Sequence, residues 1–105
     1  MSYTAMDVAA MKGSANEAAD LLKVMAHPER LMVLCQLTQG EVGVGELQKQ
    51  SFLSQSAFSQ HLTVLRKHNL ISARKSSQQV FYSLSEPRVE SLIKALHGVF
   101  CNQEI

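Results

Sequence analysis

Two groups of residues in this chain have chemistry to offer. The first is a pair of thiols and an imidazole: Cys35, Cys101 and His97, four residues before the second cysteine. A thiolate is a nucleophile, a metal ligand or a redox partner. Two cysteines in a reducing compartment serve equally well as small apolar filler, and the residues alone leave both readings open. The second group is the run of hydroxyls, amides and bases in Leu53-Ser-Gln-Ser-Ala-Phe-Ser-Gln-His-Leu-Thr-Val-Leu-Arg-Lys-His68. No carboxylate lies between Leu47 and Ser85. Lys49, Arg66, Lys67, Arg74 and Lys75 give that stretch a charge of +5, while the rest of the 105-residue chain carries −4. Hydroxyls, amides and cations without acids suit the edge of a base pair and the phosphate backbone of duplex DNA. No nucleophile–base set or complete metal motif accompanies them, so neither an enzyme nor a resident metal or cofactor is expected.

On a helical wheel of ~100° per residue, Phe58, Leu62 and Leu65 form an apolar stripe. Ser56, Gln60, Thr63, Val64 and Lys67 lie opposite it, with Gln55 and Ser59 on the first turns. Ser54 is placed to cap the helix and Asn69 to stop it in a left-handed conformation. Gln55 and Gln60 have the donor–acceptor pair that adenine presents, and Ser54, Ser56, Ser59 and Thr63 can pair with several bases. Val64 would meet a thymine methyl or simply be exposed. His61, at the margin of the stripe, would touch phosphate or pack as a structural histidine. After this helix, alternation predicts strands over 71–75 and 80–84, with Ser76 to Gln79 as a hairpin tip. Arg74, Lys75, Gln78 and Gln79 make that hairpin a polar arm suited to phosphates.

Other elements must position these residues. Ser14-Ala-Asn-Glu17 has the form of a capping box, ahead of a helix with Ala18, Leu21, Leu22 and Met25 at helical spacing. Residues 1–13 are expected as a tail or short separate helix ended by Gly13, and 14–105 as the domain proper. Pro28 restarts a helix. Its Leu31–Leu37 run, almost wholly apolar, predicts burial nearly all round, up to Gly40. A short helix over 44–50 and a turn at Ser51 precede the long one. Ser85 and Pro87 open a last helix with Val89, Leu92, Ile93, Leu96 and Phe100 in one stripe, widened by Val99. The order, four helices, a hairpin and a helix (ααααββα), is a mainly α winged helix-turn-helix. Apolar surface left over on the N- and C-terminal helices predicts a homodimer, which also supplies two half-site readers. No run is long enough to span a membrane, and no signal peptide is evident, which reads as a cytoplasmic protein.

With Ala26-His-Pro-Glu-Arg-Leu-Met-Val-Leu34, Val44-Gly-Glu-Leu47, Leu53 to Leu62, Leu65-Arg-Lys-His-Asn-Leu-Ile71 and Val80-Phe-Tyr-Ser-Leu84, the chain resembles the ArsR/SmtB family of bacterial regulators from about Ala18 onward. The resemblance implies a homodimer that binds a double-stranded DNA operator and releases it on sensing an inducer. Metal sensors of that family have Cys-Val-Cys where this chain has Gly43-Val-Gly45, and glycine cannot ligate a metal. Their other site needs grouped acids and histidines on the last helix, where Glu90, His97 and Glu104 lack the grouping. Cys35, Cys101 and the ending Ala95-Leu-His-Gly-Val-Phe-Cys-Asn-Gln-Glu104 resemble the thiol-sensing branch, which contains persulfide sensors and a virulence regulator. What that branch implies is a disulfide or polysulfide bridge between Cys35 and Cys101, formed by a persulfide, polysulfide or oxidant, that lowers DNA affinity, with His97 able to tune the Cys101 thiol. Two alternatives stand beside it: an antirepressor not gated by redox, and a zinc-responsive regulator using His97, Cys101 and acids at the dimer seam.

Overall fold

The structure, a computed structural model, describes residues 6–101. Helix α1 (Val8–Met25) begins at Asp7, whose carboxylate accepts the Ala10 amide at 3.0 Å. It runs straight through Gly13 and Ser14, so the expected break and capping box do not form. The physical reason is local. A glycine in a helix costs about 1 kcal/mol relative to alanine, and the flanking Ala, Met and Lys residues sustain helix on both sides. Glu17 reaches Arg88 of the last helix at 2.9 Å instead of an amide of its own first turn. Residues 1–5, part of the expected tail, lie outside the described residues.

Helix α2 (Pro28–Leu37) starts as expected with Pro28 at its first position, and His27 Nδ1 accepts the Glu29 amide. Val33, Leu34 and Leu37 are buried, but Met32 is exposed and Leu31 and Cys35 are half-buried. The apolar run is therefore two-sided, with one side in the core and the other beside the last helix, and burial all round is not realised. Strand β1 (Val42–Gly43) leads directly into helix α3 (Val44–Lys49). A turn follows, in which the Ser51 hydroxyl accepts the Leu53 amide and Gln48 Nε2 donates to the Leu53 carbonyl.

Helix α4 (Gln55–Lys67) is capped by Ser54, whose Oγ accepts the Ala57 amide at 3.1 Å. Its exit is a Schellman motif. Asn69 is left-handed at φ 65°, the Leu70 amide donates to the Leu65 carbonyl, and the Asn69 amide donates to the Arg66 carbonyl. Leu65 and Leu70, the apolar pair that accompanies this motif, are both buried. Strands β2 (Ile71–Ser76) and β3 (Gln79–Leu84) form the hairpin, with Ser77 at φ 55° in a two-residue turn, the backbone that a tight hairpin demands. The tip is thus shorter than the four residues expected. A third strand was not expected: β1 pairs antiparallel with β3, in the order β1-β3-β2.

Helix α5 (Pro87–Phe100) is capped by the Glu86 carboxylate rather than by Ser85. The Ser85 hydroxyl donates instead to the Asn69 carbonyl, tying the end of the sheet to the exit of α4. The core lies where α2, α3, α4, α5 and the inner sheet face meet. Leu34, Leu47, Phe58, Leu65, Tyr82, Val89 and Ile93 all contribute to it. Of the expected α5 stripe, Val89 and Ile93 are buried and Leu92 and Leu96 half-buried, whereas Phe100 is exposed like Val99.

Candidate nucleic-acid interface and thiol pocket

The candidate recognition surface is built on a helix anchored in the core. Phe58, Leu62 and Leu65 anchor α4 in the core, and the first turn, held by Ser54, presents Gln55, Ser56, Ser59 and Gln60 to solvent. Their side chains make no hydrogen bond to other described residues, so their donors and acceptors are available to an external partner. Thr63 is exposed too, but its hydroxyl donates to the Ser59 carbonyl at 2.9 Å, leaving it as an acceptor. Lys67 and Arg66, on the last turn, form no ion pair among the described residues. Phe52, in the turn between α3 and α4, is fully exposed.

Two neighbours of this face behave differently. Val64 is half-buried and lines a crevice with Asp20, Lys23, Val24, Arg30 and His68. The C-terminal end of α1 crosses α4 there, so Val64 is not the outward apolar contact its wheel position suggested. His61 is half-buried and tilted against His27, with ring centroids 4.1 Å apart. Its Nδ1 accepts from Arg30 Nε at 3.2 Å, while Arg30 Nη1 donates to the Val24 carbonyl at 3.0 Å. Partial burial, then repulsion from His27 and Arg30, hold the His61 imidazole below its ordinary pKa. Of the two readings of His61, packing is visible, and only Nε2 is left to meet a phosphate.

On the hairpin, Lys75, Gln78 and Gln79 are exposed. Arg74 is engaged inside the molecule. Its guanidinium donates to both carboxylate oxygens of Glu41 at 2.7 and 2.8 Å and lies 4.9 Å from the centroid of the Phe81 ring. The hydrogen-bonded pairing lowers the Glu41 pKa and raises that of Arg74. Glu41 lies just outside the acid-free stretch of sequence, and the sheet brings it back to that stretch. Nothing in the local sequence signals this, because it depends on the pairing of β1 with β3.

Cys35 and Cys101, both free thiols, line one concavity of about 260 Å³ between α2 and α5. Leu31, Met32, Ile93, Leu96, Phe100 and His97 complete its almost wholly apolar wall. Cys35 is half-buried and Cys101 exposed at the C-cap of α5, where its amide donates to the His97 carbonyl at 2.8 Å. The three residues with thiol or imidazole chemistry are thus brought together from two helices. Among the described residues there is no cluster of three or more His, Cys, Asp or Glu side chains able to hold a metal ion. Glu90 is paired with Lys94, and Glu104 lies outside the described residues. No helix among them is long and apolar enough to cross a membrane.

Comparison with known proteins gives a consistent result. The family model described as bacterial regulatory protein, arsR family, matches residues 27–73. A biofilm growth-associated repressor of Xylella fastidiosa is 45% identical over 94 residues, covering 90% of this chain and 82% of that protein. The transcriptional activator HlyU of Vibrio cholerae is also 45% identical, over 96 residues, covering 91% and 89%. The crystal structure of the transcriptional repressor BigR from Xylella fastidiosa superposes with a TM-score of 0.87 at 43% identity, covering 93% of this chain and all of that one.

Proposed function

The chain belongs to the arsR family of bacterial regulatory proteins, and from that premise we propose a homodimeric repressor that leaves its operator when Cys35 and Cys101 are bridged by reactive sulfur or an oxidant. The observation that carries the sensing part is the shared concavity: α2 and α5 each supply one thiol to the same apolar wall. In this reading Gln55, Ser56, Ser59 and Gln60 read base edges from the first turns of α4, as recognition helices do in the major groove. Ser54 and Thr63 flank them, and Lys67, His61 Nε2, Lys75, Gln78 and Gln79 meet the backbone. Repressors related to this chain at 45% identity support the direction of regulation.

The sulfur chemistry balances with the persulfide's outer sulfur as the two-electron oxidant. A persulfide RSSH gives its outer sulfur to one cysteine, forming a cysteine persulfide and releasing the thiol RSH. The second thiol, as thiolate, attacks the inner sulfur of that persulfide. A Cys35–Cys101 disulfide forms, and hydrogen sulfide leaves with the proton. His97 lines the same wall as Cys101, and its proposed tuning of that thiol is tested by His97→Ala: an unchanged rate of Cys101 alkylation would remove it. The bridge switches the protein only if it favours a non-binding arrangement of the two reading helices.

A second reading draws on the equal identity to a relative named as a transcriptional activator. There the protein displaces another DNA-bound protein, and its cysteines are packing residues. Transcription from a promoter carrying the selected operator separates the two. Reduced protein alone should lower it and a sulfane-sulfur donor should restore it. Activation that needs a second DNA-bound protein and ignores the donor favours the antirepressor.

A further inference from the structure

Arg74, Phe81 and Gly43 form one row across the three-stranded sheet, with Glu41 just before it. The register sets Arg74 opposite Phe81 and Phe81 opposite Gly43, and cross-strand partners share a face. The guanidinium passes over the Phe81 ring and reaches Glu41, just before β1, through two parallel hydrogen bonds. Gly43 lies against the same ring: a Cβ there would stand 3.4 Å from Cε1 of Phe81, in ordinary contact with it. The row joins β2, the first strand of the wing, to β1, which runs without a linker into α3 of the helix-turn-helix.

We propose that Arg74 is not a phosphate ligand but a positioning residue: with Glu41 and Phe81 it clamps the wing to the helix-turn-helix, so that the free protein already holds Lys75 where it sits on DNA. This rests on the DNA-binding reading above. A forked arginine–carboxylate pair fixes orientation as well as distance, and the aromatic ring beneath adds a second constraint on the same group. Lys75, the next residue, forms no ion pair among the described residues and is exposed toward the tip.

The two roles differ in their dependence on salt. Losing one phosphate contact reduces the slope of log K against log salt by about 0.9, whereas losing a group that only pre-orders the wing lowers affinity by the cost of ordering it on DNA and leaves the bound contacts, and so the slope, unchanged. The probe is a mixed-sequence double-stranded DNA fragment, titrated across salt with wild type, R74A, E41Q, E41A/R74A and K75A. K75A should lose about 0.9 of slope. R74A and E41Q should each bind roughly two- to fivefold more weakly with unchanged slope, as befits a surface ion pair, and the double variant should be no weaker than R74A alone. The exchanged pair E41R/R74E should recover most of the affinity, although it places an acid on the wing. A slope loss in R74A equal to that in K75A, or an E41Q variant that binds as well as wild type or better, overturns the clamp. Wild-type protein with no affinity for the fragment overturns the DNA-binding reading beneath it. Amide exchange in the free protein gives a DNA-independent check: E41Q should speed exchange in β1 and the wing, and unchanged exchange there contradicts the clamp.

Discussion

Protonating His61 would set a cation beside Arg30 and His27 and remove the lone pair that accepts from Arg30 Nε. Its pKa is therefore depressed in the fold, by burial first and by those neighbours second. For a histidine this means that the unfolded chain takes up the proton more readily. The stability associated with a neutral His61 is complete above the unfolded value near 6.5 and is lost as pH falls toward the lower folded value. The melting temperature should drop between pH 7 and pH 5, and His61→Gln should flatten part of that drop; equal pH profiles for the two proteins would contradict this role. Glu86 titrates in a separate window. Hydrogen bonds from the Arg88 side chain and then its amide lower its pKa to about 2. Its contribution is present above the ordinary carboxylate range and disappears only as pH approaches that value, so the two effects can be resolved in one titration. The His61 cluster is not legible in the sequence, because His27 caps α2, Arg30 lies in it and His61 lies in α4, and only packing brings their rings and charges together, whereas Glu86 and Arg88 are two residues apart and pair locally.

The reading helix, among the individual elements, was the most legible from sequence, because its signals are local. Ser54 at the cap, the stripe of Phe58, Leu62 and Leu65, and Asn69 at the exit all occupy the positions their chemistry predicts. The cap also controls the first turn, which carries the side chains proposed to read bases. Ser54→Ala should cost about 1 kcal/mol, or ~4–8 °C in melting temperature for a domain of this size. It should also weaken operator binding more than it weakens binding to unrelated DNA; the same loss on both duplexes would mean that the first turn does not read sequence. Less local elements were misread. Strand β1 is two residues long and exists through its pairing with β3, so no periodicity could mark it. The start of α1 was misplaced because Ser14 and Glu17 satisfy a local pattern that competes with a longer helix already capped at Asp7. The α2 run was read as buried all round because hydrophobicity alone cannot distinguish a core side from a side that faces a groove.

Taken as a whole, the molecule is too extended for a closed domain. Its radius of gyration is 16.0 Å, against about 13 Å for a compact chain of 100 residues. Helix α1 fully buries only Met25 and packs Leu21 and Val24 half-buried against the core, while Met11 and Leu22 on α1 are exposed together with Met32 on α2 and Val99 on α5. Apolar surface of this kind on a small chain favours a second copy. Leu22→Glu or Val99→Glu should convert the dimer to monomer in sedimentation and weaken operator binding; a variant that sediments like wild type would place the interface elsewhere. In the proposed dimer α5 would serve both the interface and the thiol pocket, so that a bridge from Cys101 to Cys35 of α2 would change the spacing of the two reading helices. The most direct test of that coupling is operator affinity measured by fluorescence anisotropy on fully reduced and fully bridged protein, with the Cys35–Cys101 linkage verified by peptide mass. Bridged wild type should bind roughly ten- to a hundredfold more weakly than reduced, while Cys35→Ser and Cys101→Ser should bind like reduced wild type before and after treatment. Bridged protein that holds the operator as tightly as reduced protein would contradict the account.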